Sequence, residues 1–271
     1  PPPPPAFFFN HHPALRDAQE SRGLGDVYKR QVGGRTLDLA RQNHLAIYLT
    51  PLTRDISGLS ELTPEEVEKY FTRNDGFFSF ARWGRSVAPV VFGLDEKSLS
   101  ILKDAIGAIM SLTNQQISET DPELGANFMF FFFSDWLELK EVPHLNKLVP
   151  NMSTLLDKLI DAEANQYRIF RFDEAGAIRA CFVFVRMDEN LMNVPAQTLM
   201  LSQAVQSVLL WSDNAFRNSS PLLVSEDNHT LLKPIVSNLI KVAYDPTLPN
   251  ASDDNSLAVR MSARVKMMVS N

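Results

Sequence analysis

A single cysteine, Cys181, in a chain of 271 residues excludes two architectures at once. No intrachain disulfide can form, and no cysteine-based metal cluster can be assembled. Cys181 sits between Ala180 and Phe182 in a strand pattern, so it is expected to be a small buried hydrophobe. Long apolar runs are missing as well. The longest, Phe128-Met129-Phe130-Phe131-Phe132-Phe133, falls far short of the roughly 20 residues that cross a bilayer and reads as a buried strand. Positive charge is in deficit: 26 Lys and Arg stand against 32 Asp and Glu, a formal charge of −6 with no basic run. This argues against nucleic acid or an anionic membrane as partner. Also absent are a G-x-G-x-x-G after a strand, a G-x-x-x-x-G-K-[ST] loop and a G-x-S-x-G elbow. No internal period of about 20 to 50 residues marks a solenoid or propeller.

The first 31 residues are set apart. Asp26-Val27-Tyr28-Lys29-Arg30-Gln31 back-translates to GATGTGTATAAGAGACAG, which resembles the transposase mosaic end used to fragment DNA for sequencing. Pro1 to Pro5 and Phe7 to Phe9 look like homopolymer DNA. Residues 1–31 are therefore expected to be a translated adapter artefact outside the folding domain. They carry four basic and three acidic side chains, so without them the formal charge moves from −6 to −7.

What is present organises into strands and helices. The segment LAIYLTPLT is an expected edge strand in an N-terminal arm spanning 32–62. Thr63-Pro64-Glu65-Glu66 combines a capping threonine, a proline at the first helical position and acidic side chains at the positive end of the dipole. A helix is expected there, ending near Gly76. Ser86 to Gly93 reads as a strand whose Pro89 favours a sheet edge or a bulge. Leu99, Leu102, Ile106, Ile109 and Met110 fall at helical spacing between Ser98 and Leu112. Asn127 to Phe133 is apolar on both faces and is expected at the centre of a sheet. A helix over 151–164, capped near Asn151 or Ser153, precedes a hairpin of Tyr167 to Asp173 and Ala177 to Arg186 turning at Glu174-Ala175-Gly176. Two helices follow, TLMLSQAVQSVLLW (198–211) and LLKPIVSNLIKVA (231–243). Residues 249–271 read as a linker-like tail ending in a loose amphipathic helix. The pattern predicts an α+β domain with a mixed, twisted sheet over 63–248.

The final helix pair has the layout of a zinc peptidase without its ligands. In such an enzyme an H-E-x-x-H helix sets two histidines one turn apart on the metal, with a glutamate to polarise water. The pentapeptide here is Ser202-Gln203-Ala204-Val205-Gln206. Neither glutamine takes up a proton near neutral pH, and amide oxygens are poor zinc ligands. Gln203 and Gln206 are expected either to hydrogen-bond across a cleft or to face solvent, with solvent favoured. His44, His144 and His229 are far apart in sequence. Glu226-Asp227-Asn228-His229 is the densest polar group nearby, and a helix cap at Asn228 or Thr230 is its simpler reading.

Several short motifs recur in a fixed order. Arg82-Trp83 precedes a strand ending Phe92-Gly93, Leu112-Thr113-Asn114 closes a helix, and Ala126-Asn127-Phe128 opens the next strand. Gln206, Leu210 and Asp213 then precede Tyr244-Asp245-Pro246-Thr247-Leu248. Over 63–248 this order resembles a bacterial family known as domain of unknown function 2927, whose layout is similar to zincin peptidases. The family's L-T-G ends here in Asn114, its two acidic residues are Ser202 and Gln203, and its glycine is Leu209. The resemblance implies a zincin-like single domain with a degenerate active-site helix and a C-terminal helix. It places the two metal histidines at Ser202 and Gln206, the general base at Gln203, and the third ligand at Ser212 with Asp213 beside it. A methionine turn would lie at Leu222-Leu223. No metal and no cofactor is implied, and family analogy places the protein in the periplasm or cell envelope. The function expected is a non-catalytic pseudo-metallopeptidase module that binds a protein or peptide, an exposed sheet edge accepting an extended chain. Two alternatives stand beside it: an enzyme assembled around Asp213, Glu226, Asp227 and His229, and a purely structural domain.

Overall fold

A computed structural model describes residues 62–142, 145–149, 151–225 and 229–270. Residues 1–31, the expected N-terminal arm (all but Leu62, and with it the edge strand and His44), His144 and the run Glu226-Asp227-Asn228 lie outside the described residues.

Thr63 starts helix α1 (Pro64–Phe71) through a reciprocal cap. Its hydroxyl accepts from the Glu66 N–H at 3.3 Å, and the Glu66 carboxylate accepts from the Thr63 N–H at 2.9 Å. The helix stops at Phe71, short of Gly76. Asp75 accepts from the Phe77 N–H at 3.1 Å and Gly76 adopts φ +87°, so turn chemistry claims this stretch. The chain continues through β1 (Phe80–Ala81), β2 (Pro89–Phe92), α2 (Glu96–Thr113) and β3 (Phe128–Phe133). A 3-10 turn (Trp136–Glu141), α3 (Leu145–Leu148) and α4 (Met152–Asp161) precede the hairpin β4 (Gln166–Phe172) and β5 (Ile178–Arg186). Then come α5 (Glu189–Met192), α6 (Ala196–Val208), β6 (Leu222–Val224), β7 (Thr230–Leu232), α7 (Pro234–Ala243), β8 (Ala251–Ser252) and α8 (Ser256–Ser270).

The architecture is α+β with a mixed sheet in the order β2-β3-β5-β4. β2, β3 and β5 run parallel, and β4 lies antiparallel to β5 at one edge. Pro89 opens the opposite edge strand, where a missing N–H breaks no interior ladder. All six residues of β3 are buried. Phe128, Phe130 and Phe132 face a core shared with α2 and α6, whereas Met129, Phe131 and Phe133 face a second core containing the 3-10 turn and α4. On the second face the register stacks Phe92, Phe131 and Phe184 across three strands, with centroids 4.7 and 5.1 Å apart. Successive phenylalanines are needed because each face requires its own aromatic row.

The short motifs prove to be framework. Arg82, only 7 % exposed, donates to Asn250 Oδ1 at 2.8 Å and to the carbonyls of Ala243, Asp245 and Leu248 at 2.8, 3.0 and 2.9 Å. Those carbonyls lie at and just beyond the negative end of α7, where a cation is favoured. Trp83 Nε1 donates to the Ser207 carbonyl at 2.9 Å, and the Tyr244 hydroxyl donates to the Val208 carbonyl at 2.7 Å. Both bonds finish the C-terminus of α6. Asn127 is fully buried and staples two strands: its Oδ1 accepts from the Ala88 N–H at 2.7 Å and its Nδ2 donates to the Ser86 carbonyl at 2.9 Å. Asn114 ends α2 in the left-handed region at φ 57°, a conformation that asparagine tolerates.

Three expectations are corrected. Residues 249–271 are not a tail. β8 pairs with β1, and α8 buries Leu257, Ala258, Met261 and Val265, while Ser262 Oγ donates to the Leu62 carbonyl at 2.6 Å. The linker-like composition hides Asp254, which accepts from the Ser256 N–H at 2.9 Å and starts the helix. The last helix of the 198–246 stretch begins at Pro234, because Leu231 and Leu232 belong to β7. Thr230 therefore caps nothing; its hydroxyl lies 2.7 Å from that of Thr198 and ties β7 to α6.

Replacing Arg82 by alanine leaves several helix-end carbonyls without a donor and should lower the unfolding free energy by about 3 kcal/mol. Urea denaturation measures this, and a loss below about 1 kcal/mol would show that water substitutes for the clamp. A second test uses pH. The Asp245 carboxyl is held down to about 2, first by the Thr247 hydroxyl and N–H and then by Arg264 at 3.0 Å. Because its folded pKa lies below the free value, its contribution is present above about pH 4 and is lost as pH falls toward 2. Asp245→Asn should cost about 1 kcal/mol at neutral pH and almost nothing near pH 2. Equal losses at both pH values would assign the effect to packing.

Candidate functional site

The candidate site lies where α6 crosses the inner face of β4. Helix α6 is buried on most of its circumference, which explains why its sequence is so weakly amphipathic. Its polar side chains form two rows at i, i+4 spacing. Ser202 and Gln206 are partly buried, and Gln206 Nε2 donates to Ser202 Oγ at 2.8 Å. Gln203 and Ser207 are fully buried, and Ser207 Oγ donates to the Gln203 carbonyl at 2.8 Å. Strand alternation puts Gln166, Arg168 and Phe170 of β4 on the face toward this helix.

Arg168 joins the two elements. Its Nε donates to Ser207 Oγ at 3.3 Å, one terminal nitrogen donates to Gln206 Oε1 at 3.1 Å, and the other donates to Gln203 Oε1. Gln203 Nε2 turns away and donates to Gln166 Oε1 at 2.7 Å. Each amide thus has its oxygen on the guanidinium and its nitrogen on another acceptor, so the network is internally consistent. Every acceptor of Arg168 is neutral, and no carboxylate among the described residues pairs with it. Burial pushes the guanidinium down to about 10, well below the usual arginine value yet still charged at neutral pH. Cys181 lies within the same layer. Burial pushes its thiol up to about 12, with Arg168 and Ser207 opposing the shift, which leaves it inert as a nucleophile.

The solvent-facing side of this layer opens into a cleft of about 1150 Å³. One wall is β4; another is the turn after α6, running from Leu210 to Pro221. Trp211 anchors that turn by stacking on Phe71 at 5.7 Å and donating its Nε1 to the Val205 carbonyl at 2.8 Å. Ser212 is buried and tied to α1, its N–H donating to the Tyr70 carbonyl at 2.7 Å and its hydroxyl to that of Lys69 at 3.0 Å. Asp213 faces the cleft but is engaged by Arg73 at 3.1 Å.

The structure therefore brings together Ser202, Gln206, Ser212 and Asp213 along one cleft, with Gln203 buried behind it. The solvent-facing orientation favoured for the glutamines is overturned: both reach across to Arg168. The physical reason is that a part-buried guanidinium needs acceptors, and the amide oxygens supply them. His229 sits at the mouth of the β6–β7 hairpin, its N–H donating to Ser225 Oγ at 3.1 Å, and it does not line the cleft. Its expected companions Glu226 and Asp227 lie outside the described residues. Among the described residues no three His, Cys, Asp or Glu side chains gather closely enough to hold a metal ion.

Arg168 was missed in the sequence, although its signal was present. In YRIFRF the alternation sets Arg168 on the face of Phe170, pointing a charge inward beside a glutamine-bearing helix. None of the helices among the described residues is long and apolar enough to cross a membrane. Comparison with known proteins finds no matching family model, no matching curated protein and no matching solved structure.

Proposed function

We propose that this chain is a non-catalytic binding module of zincin-like descent, with α6 as the former active-site helix and the cleft as a seat for an extended peptide along β4. The observation that supports this most is the setting of Arg168. The side-chain oxygens at 203 and 206, where the resemblance places the general base and a metal histidine, converge on a guanidinium supplied by the edge strand. Amide oxygens hold a cation there and carry no proton chemistry near neutral pH.

The geometry of β4 supports the peptide reading. Among the described residues β4 pairs with β5 alone. The Arg186 N–H bonds to the Asn165 carbonyl at 2.8 Å. Antiparallel alternation from that pair directs the N–H and C=O groups of Gln166, Arg168 and Phe170 away from β5, toward an added strand. All three line the cleft. Its volume exceeds the roughly 300–1,000 Å³ of small-molecule sites and suits a run of extended residues. Pro89, which would obstruct strand addition, lies on the opposite edge.

A peptide library displayed on phage and selected against the full chain should yield ligands whose binding falls at least ten-fold when alternate residues are N-methylated, since strand addition depends on main-chain donors (about 1.4 kcal/mol per factor of ten). Ligands indifferent to N-methylation, or no ligands at all, would sink the reading. A stoichiometric zinc bound by the protein and lost in Asp213→Ala would overturn the non-catalytic part of it.

A further inference from the structure

The inference rests on the peptide reading and concerns what the peptide must carry. An arginine has five N–H donors. In Arg168 the three observed bonds use one on Nε and one on each terminal nitrogen. Each terminal nitrogen therefore keeps one N–H that no acceptor among the described residues takes, and two N–H groups on the two terminal nitrogens are what a guanidinium uses to hold a carboxylate in fork geometry. The side chain is only partly buried and lines the cleft. The other lining charges are Arg73, Arg217 and Asp213. Asp213 is taken up by Arg73 at 3.1 Å. Arg217 is exposed, and among the described residues its side chain donates to the neutral Asn214 at 3.5 Å. The cleft of an acidic protein is thus lined by a net excess of positive charge, with two arginines that no carboxylate among the described residues neutralises.

Leaving a part-buried guanidinium with neutral acceptors alone is unfavourable, because desolvation is not repaid by an opposite charge. Most other part-buried arginines among the described residues have a carboxylate, the exception being Arg171, which meets the Leu148 carbonyl at 3.3 Å at the end of α3. Arg85 and Arg179 both reach Glu123, and Arg264 reaches Asp245. Arg82 bonds to no carboxylate among the described residues but caps a helix end, where backbone carbonyls supply negative potential. Arg168 has neither. We infer that the missing counter-charge belongs to the ligand: the cleft recognises an extended peptide bearing a carboxylate, which docks in the fork of Arg168 while Arg217 attracts it from the rim.

The test compares three octapeptides of alternating Thr and Val, each carrying a neutral fluorophore. One has a central Glu and an amidated end, one a central Gln and a free C-terminal carboxylate, and one a central Gln and an amidated end. Fluorescence anisotropy with the full chain should show one or both carboxylate peptides binding at least ten-fold tighter than the neutral one. Which of the two prevails tells whether the recognised group is a side chain or a chain terminus. Arg168→Lys, which keeps the charge but loses the fork, should reduce the preference to below about three-fold. Arg217→Ala, a substitution at an exposed position, should weaken the carboxylate peptides more at low salt than at high salt. Equal binding of all three peptides would overturn the inference and leave strand addition standing. Glutarate alone separates the two ideas, because it has no strand to add. It should shift the Arg168 Nε–H resonance of the full chain even if no peptide binds, and an unmoved resonance up to tens of millimolar would overturn the inference.

Discussion

The constraint on which the rest depends is the placement of residues 80–84. This short segment pairs with β8 through Phe80 and Ala81, meets Leu209 through Arg82, and bonds to Ile178 at the start of β5. From the same residues, Arg82 closes the end of α7 and Trp83 closes the end of α6. Helix α6 has no capping side chain of its own at either end, so its axial position is fixed by what is brought to it. Even Gly84 belongs to this constraint: a Cβ there would lie 2.8 Å from that of Ala177. A shift of this segment would displace Gln203 and Gln206 relative to β4, and the bonds to Arg168 have little length to give.

Much of this was legible in the sequence, for reasons that differ by element. The cap at Thr63, the all-apolar β3 and the turn at Glu174-Ala175-Gly176 are written in local chemistry, and local chemistry decides them. In the turn, Asp173 accepts from the Ala175 and Ala177 N–H groups while Gly176 takes φ +81°. What could not be read was set by partners distant in the chain. Ala251 and Ser252 become a strand only because β1 offers its edge, and α8 is stable only because α1 and α7 cover its apolar row. The pentapeptide at 202–206 lacks ionisable groups by sequence alone. Its orientation was misjudged, since nothing within α6 announces an arginine arriving from β4.

That arrival changes the meaning of the short motifs. Arg82-Trp83, Ala126-Asn127-Phe128 and Tyr244-Asp245-Pro246 all act as framework: they cap helices and staple strands, and none of them lines the cleft. Motifs that only cap helices and staple strands say little about chemistry. Function is carried by side chains that the framework does not need. Arg168 stands out among these because it makes the interior worse by ordinary measures, placing a charge among neutral amides with its pKa displaced by burial.

On the proposed reading, the glutamines explain how such a charge is tolerated without being cancelled. A carboxylate at 203 or 206 would neutralise the guanidinium, occupy its fork and close the cleft to an anionic ligand. An aliphatic residue at either position would leave buried donors unmet and favour collapse of the arginine toward solvent. Amides accept from the guanidinium without cancelling its charge, and one N–H on each terminal nitrogen stays without an acceptor among the described residues. On that reading, the residues that leave 202–206 without an ionisable group are also the ones that suit α6 to hold a fixed cationic centre, so the two properties belong to one polar layer.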